Sequence, residues 1–217
     1  SGRRLSPVLR LGRRILLAAT VRGLLTGTAR GGGLRLISSA SGAALSLRVP
    51  PGALLAAVGA DQVAWQRPRC PQLACPLHVT SLSGGTGTVI ALPPGTQTNG
   101  EPGAFDQAGR RIALPLDTIR GLHRTAETHI YVAGLGSRRM TRLPGGPLPL
   151  TQAATDLGAI VAGFPGFNSV SWPDGSPLWI MAADPAGFQA AYWTGSGPLR
   201  VLRVQPGEVY QFAIGAG

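Results

Sequence analysis

Few residues in this chain could carry out chemistry, and their spacing restricts what that chemistry is. Cys70 and Cys75 are separated by four residues, next to Pro71 and Pro76. A turn between strands can bring two such Cα atoms within bridging distance, so the pair reads first as a local disulfide. Two free thiols or a metal ligand pair are the alternatives. Zinc normally takes four ligands, and only His78 stands near in sequence. The other histidines are His123 and His129. His123 lies between Arg120 and Arg124 with Glu127 nearby, in a setting where an imidazole titrates near neutrality. His78 and His129 occupy similar places in two strand-like segments, as recurring structural side chains do.

Nine acids are present, and they are scattered. Glycoside hydrolysis needs two carboxylates flanking one sugar. Asp117, Glu127, Asp156 and Asp184 are the acids that an enzyme would have to bring together. Asp106 and Asp174 sit in turns, where a carboxylate caps backbone N–H groups, so they read as structural. The Gly84-Gly85-Thr86-Gly87 segment lacks the Gly-Lys-Ser/Thr ending of a phosphate loop. Ser196 between Gly195 and Gly197 has the wrong glycine spacing for a nucleophile elbow. No residue set calls for a cofactor or a metal.

The strongest chemical bias is positive charge. All 20 basic residues are arginine against 9 acids, a net charge of +11, which favours an anionic partner or surface. Composition drawn from a G+C-rich genome also accounts for arginine in place of lysine. Arg120, His123, Arg124, Arg138, Arg139 and Arg142 form a loose cluster, the best candidate for binding an anionic polymer. Aromatics do not interleave with it as a single-strand nucleic-acid platform requires, so nucleic acid is an unfavoured partner. Arg48, Arg142, Arg200 and Arg203 alternate along strand-like segments, where charge on an outer strand blocks edge-to-edge aggregation.

The elements that must position these groups are short strands. Glycine at 32 and proline at 19 are high, yet 44% of residues are apolar, too many for a disordered chain. No run approaches the roughly 20 apolar residues that a bilayer core requires. Arg13-Arg14 followed by Ile15 to Val21 has the look of a secretory leader, but Arg22 interrupts it and no small-residue cleavage site follows. It reads as a strand. The first residues are Ser1-Gly2, so a targeting segment upstream is compatible with the sequence.

A proline-glycine stop recurs after a strand ending in Leu or Val, with final glycines at Gly52, Gly95, Gly146 and Gly207, spaced 43, 51 and 61 residues apart. Upstream of each stop lies a hairpin: Leu34–Ile37 with Leu45–Val49, Leu77–Leu82 with Thr88–Leu92, Ile130 with Met140, and Phe188–Trp193 with Leu199–Val204. The front halves are matched through Val63-Ala64-Trp65, Gly103-Ala104-Phe105 and Val170-Ser171-Trp172, each with an aromatic in third place. Gly12 to Leu17 echoes Gly109 to Leu114, so the first repeat begins near Val8. Trp65, Phe105, Trp172 and Trp179 are expected to fill space between repeats. Two connections, Pro115 to Thr128 and Pro147 to Ser169, break the spacing and are expected to be long loops. Four-stranded meanders repeated at this interval predict a β-propeller, whose blades stack because none can bury both faces alone.

The run from Phe105-Asp106 through Gly109 to Ile112-Ala113, then Ile130-Tyr131-Val132 and Thr141 to Gly146, resembles the blades of TolB-like propellers. Val170 to Gly175 resembles the same motif. Val63 to Leu82, with its two cysteines, is similar to blades of secreted or lipoprotein-type propellers of high-G+C Gram-positive bacteria. Gln107-Ala108 stands where that family has Pro-Asp.

The expectation is one all-β domain over 1–217, with four-stranded antiparallel blades near 8–52, 53–95, 96–146 and 147–207. Residues 208–217 supply a strand that could close the ring onto the first repeat. The function expected is non-catalytic: a scaffold binding a protein, peptide or cell-envelope polymer outside the cytoplasm. A carbohydrate-active or lyase-type enzyme using axial acids is the alternative, and non-specific nucleic-acid binding through arginine a weaker one. If Cys70 and Cys75 are bridged, the intact non-reduced chain weighs 2 Da less by mass spectrometry than the reduced one, as expected for one S–S bond, and takes up no iodoacetamide. Alkylation without prior reduction would contradict the bridge.

Overall fold

The computed structural model describes residues 14–20, 22–28, 33–67, 75–85, 87–98, 103–106, 108–120, 125–145, 170–171, 177–184 and 187–203. All of its regular structure is β, arranged as four separate antiparallel sheets. The first sheet contains β1 (Arg14–Thr20), β2 (Gly23–Thr28), β3 (Arg35–Ser38) and β4 (Ala44–Ser46). In the second are β5 (Leu54–Val58), β6 (Gln62–Gln66), β7 (Leu77–Ser81) and β8 (Thr88–Ile90). The third has β9 (Thr96–Thr98), β10 (Ala104–Phe105), β11 (Arg111–Arg120), β12 (Thr125–Gly134) and β13 (Thr141–Arg142). The fourth is built from β14 (Val170–Ser171), β15 (Leu178–Asp184), β16 (Gly187–Trp193) and β17 (Arg200–Arg203). Strands follow one another in space as they do in sequence, a meander in each sheet.

The second and third sheets are apolar on both faces, and the alternation of side chains along a strand divides their residues between two neighbours. On β6, Val63 and Trp65 join Leu25, Leu36 and Leu47 of the first sheet. Ala64, between them, joins Ile112, Leu114 and Leu116 of the third. On β11, Ala113 turns the other way and packs with Leu178 and Ala191 of the fourth sheet. Three successive cores thus lie between consecutive sheets. Trp65 and Phe105, 7% and 6% exposed, are the aromatic fillers.

Polar side chains fasten the same seams. Gln62 Nε2 donates to the carbonyl of Gly109 in the third sheet. Buried Gln66, on the same face of β6, donates to the Cys75 carbonyl at 2.9 Å and accepts from Thr98 Oγ1 at 2.6 Å. At the first seam Arg22 pairs with Asp61. The backbones also touch, Gly103 N donating to Ala56 O at 2.7 Å. A Cβ on Gly103 would lie 2.3 Å from the Ala113 carbonyl oxygen, so only glycine admits this approach.

Asp106 organises its turn as its position implies. Its carboxylate accepts from the N–H groups of Arg110 and Arg111 at 2.7 and 2.9 Å and from Arg111 Nε at 3.0 Å. Gly109, at φ +64°, closes the turn by donating to the Asp106 carbonyl. Asp174 lies outside the described residues. The hairpins preceding the stops are β3–β4, β7–β8, β12–β13 and β16–β17, and the decoy leader is strand β1.

Three sequence expectations are corrected. Trp65 stands on the second strand of its sheet, whereas Phe105 stands on the first, so the two are not equivalent. The first strand there is β5, Leu-Leu-Ala-Ala-Val, which lacks an aromatic and follows directly on the stop. By the same shift, β1 is a first strand, and its likeness to Arg110–Leu114 is a likeness to a second strand. The expected loop from Pro115 to Thr128 is mostly strand: β11 and β12 pair without a shift from Arg111↔Gly134 to Arg120↔Thr125. Pro115 is tolerated because the first strand breaks beside it, β10 pairing with Ile112 and Ala113 and β9 with Leu116 to Thr118, so the missing N–H meets no ladder on that side. Finally, among the described residues no ladder joins the fourth sheet to the first, and the sheets are not closed. The first sheet already has four strands, so it needs no strand from 208–217, which lie outside the described residues. Most of the second long connection, Pro147 to Ser169, is likewise outside them.

Phe105→Ala removes the ring that packs over Gly59 and fills the seam between the second and third sheets. The expected loss is about 3–5 kcal/mol of unfolding free energy, read from urea denaturation. A loss below about 1 kcal/mol would contradict its place in a close-packed seam.

Candidate functional site

The candidate arginines divide between two ends of the third sheet. Arg120 ends β11 opposite Thr125, and the connection between them holds His123 and Arg124, which lie outside the described residues. Arg138 and Arg139 are in the turn after β12, beyond Gly134, at the other end of the hairpin. Nine residue steps of about 3.3 Å separate the ends of β12, so the two groups stand roughly 30 Å apart. Arg142 is exposed on β13, its Nη2 near the Gly145 carbonyl at 3.5 Å. Arg138 and Arg139 are exposed, and their backbone ties the third sheet to the second: Ala91 N donates to Arg138 O at 2.9 Å. The six residues therefore do not form one surface. The Arg120 end lies at the same end of the meander as the connection that holds Cys70 and Cys75, because both are turns between second and third strands.

The β11–β12 hairpin is longer than its counterparts, ten residues per strand against five in β6 and β7. Its last pairs, Ile119↔Ala126 and Arg120↔Thr125, run past the end of β9, which pairs only as far as Thr118. Below this tip lies a buried polar step. Thr128 Oγ1 donates to Asp117 Oδ1 at 2.7 Å, both residues being buried. His129, 2% exposed, faces Glu127 with Nε2 and Oε2 3.5 Å apart.

Asp117 is paired across the ladder with Thr128, and Glu127 with Thr118. Glu127 and Thr128 are neighbours on one strand, so Asp117 and Glu127 point to opposite faces of the sheet. They do not flank a common cavity. Asp156 and the side chain of Asp184 lie outside the described residues. Among the described residues no three His, Cys, Asp or Glu side chains gather as a metal site would need. No helix there is long and apolar enough to cross a membrane. Cys75 is disulfide-bonded and no described cysteine is free. Cys70 is outside the described residues.

Sequence reasoning missed the second place where polar chemistry collects, the seam between the first and second sheets. Trp65 and His78, paired across β6 and β7, stack with ring centroids 4.4 Å apart and planes 14° apart. Trp65 Nε1 donates to Thr80 Oγ1 at 2.9 Å. His78 Nε2 is buried and has no hydrogen-bond partner among the described residues. Burial first, then the nearby Arg67 guanidinium, hold the His78 imidazole below its ordinary pKa of 6.5. The signal was available: Trp65 and His78 are the aromatic residues on adjacent strands of one repeat, and register makes them neighbours.

The architecture defined by these seams is a β-propeller, each sheet a blade. No family model matches the chain, and no curated protein matches its sequence. Solved structures do resemble it. A prolyl endopeptidase, from a study of two such enzymes and their inter-domain dynamics, superposes with a TM-score of 0.55 at 13% identity, over 85% of this chain and 28% of that one. TolB from Acinetobacter baumannii gives 0.52 at 13% identity, over 90% of this chain and 45% of TolB. The likeness is one of fold, and this chain spans less than half the length of either neighbour.

Because the folded imidazole of His78 accepts a proton only below the pH at which the unfolded one does, acid favours unfolding. The stability is complete above about pH 6.5 and declines as pH falls through and below that value. His78→Phe keeps a ring against Trp65 and removes the titration. Its urea midpoint is expected to fall less than that of the wild type between pH 7 and pH 5. Equal falls would show that His78 does not contribute.

Proposed function

We propose that the chain is a non-catalytic propeller scaffold that binds an acidic protein or anionic envelope polymer outside the cytoplasm. The observation that carries this reading is the β11–β12 hairpin, whose last pairs run past the end of β9 up to the connection in which the sequence has His123 and Arg124. Propeller connections at one end of the blades are free to vary while the stacked sheets hold them, as loops on a rigid scaffold do in general. The net charge of +11 over the whole chain favours an anionic partner. The fold shared with TolB supports a binding role, while the fold shared with a peptidase leaves activity to be decided by residues, since fold alone does not fix function. The disulfide at Cys75, with Cys70 as its partner, supports an oxidising compartment.

A photo-crosslinking residue at Leu122, in the tip, is expected to capture one defined partner from a cell-envelope extract. Arg120→Glu with Arg124→Glu should abolish that capture, and Arg138→Glu with Arg139→Glu, some 30 Å away, should leave it largely intact. Equal loss from both double variants would mean that bulk charge alone drives association. Turnover of a glycan by the purified chain would sink the scaffold reading altogether.

A further inference from the structure

Between the first and second blades, toward their outer strands, the seam opens into a cavity of about 340 Å³. It is separate from the hairpin tip of the third blade, and what it binds does not depend on the scaffold reading. Its floor is the Trp65–His78 stack, with Val89 alongside on the next strand. Thr80 lines the wall with a hydroxyl that accepts from Trp65 Nε1, and Arg48 brings a guanidinium from the first blade. The β7–β8 turn borders the opening with Gly84, Gly85 and Gly87, which place no side chain across it.

Two groups in this cavity are left without partners by the rest of the protein. Arg48 is exposed and makes no hydrogen bond or ion pair with a described residue. His78 keeps its buried Nε2 unpaired, and a buried polar atom without a partner calls for an explanation. Among the described residues no acid lines the cavity, so none of them neutralises Arg48. A guanidinium matches a carboxylate through two parallel N–H donors. Flat rings offer an apolar platform, and the Thr80 hydroxyl, which accepts from Trp65 Nε1, keeps a proton to donate to a ligand hydroxyl. The volume lies at the lower end of the range for small-molecule pockets, about 300–1,000 Å³, and so admits one ring rather than a chain.

We propose that this cavity binds a single carboxylate-bearing sugar ring, a hexuronate, with its carboxylate on Arg48 and its ring against the Trp65–His78 floor. The sugar is favoured over a peptide C-terminus, which also carries a carboxylate. A peptide's last side chain would meet the Thr80 hydroxyl rather than a closed apolar slot.

Isothermal titration of the full chain with sodium D-glucuronate, D-glucose and trialanine tests the assignment, with tryptophan fluorescence as a second readout of the Trp65 floor. Glucuronate is expected to bind at least tenfold more tightly than glucose and to change the fluorescence. Arg48→Gln, on an exposed side chain, should remain folded by circular dichroism and lose at least tenfold in glucuronate affinity. Arg120→Glu with Arg124→Glu should bind glucuronate as the wild type does, which separates this site from the hairpin tip. The proposal is overturned if glucuronate gives no heat, if Arg48→Gln binds it unchanged, or if trialanine binds and glucuronate does not.

Discussion

The two central sheets are apolar on both faces, and that is the constraint from which the rest follows. A strand such as β6 sends Val63 and Trp65 one way and Gln62, Ala64 and Gln66 the other, so neither side can be left to water without loss. Stacking consecutive sheets is the arrangement that buries both sides of every interior one. The ladders within each sheet fix its shape, and the side chains between sheets fix its neighbours. Among the described residues, backbone pairing across the seams is limited to the isolated bridges Ala57 with Gly103 and Ala91 with Arg139 and to the Leu199 N–H donated to the Pro144 carbonyl.

The polar groups at the seams follow from this division. Gln62 and Gln66 are placed where one blade's side chains meet the next blade's turns, and each satisfies a backbone or hydroxyl group that the seam would otherwise bury unpaired. At the third blade the same logic accommodates Asp117 with Thr128 and His129 with Glu127. Carboxylates there are partners in the construction of the sheet, held on opposite faces by the pleat, so an enzyme would have to find its pair elsewhere. The arginines behave differently. Arg48, Arg138, Arg139, Arg142 and Arg200 are exposed on outer strands and turns, where the charge meets solvent and incoming partners.

Much of the architecture was legible in the sequence because turn chemistry is local. The stops at Gly52 and Gly95 and the turns at Gly42 and Gly84 all take positive φ, which marks them in sequence as well as in space. The hairpins between those marks were correspondingly clear. Phase within the repeat was harder to read, because an aromatic at a seam can stand on the first strand, as Phe105 does, or on the second, as Trp65 does, with the same burial. The length of the β11–β12 hairpin was hidden by Pro115, a residue that argues against a central strand unless the neighbouring strand breaks beside it. That break depends on where β9 and β10 lie, which no local pattern encodes. The candidate arginine cluster failed as a single surface for a related reason: closeness in sequence across a long hairpin is distance in space. The cavity at Trp65, His78 and Arg48 needs three strands and a neighbouring blade to exist, so nothing shorter than the fold could announce it.

Because each core is shared only by consecutive blades, the molecule is mechanically a chain of contacts in series. Tension applied along such a stack is borne in full by every seam, and the weakest one sets the load at which it parts. Among the described residues, the seam between the second and third blades is the best fastened, with two glutamine clasps, two backbone bridges and the broadest apolar core. The second and third blades are therefore the pair expected to hold together longest.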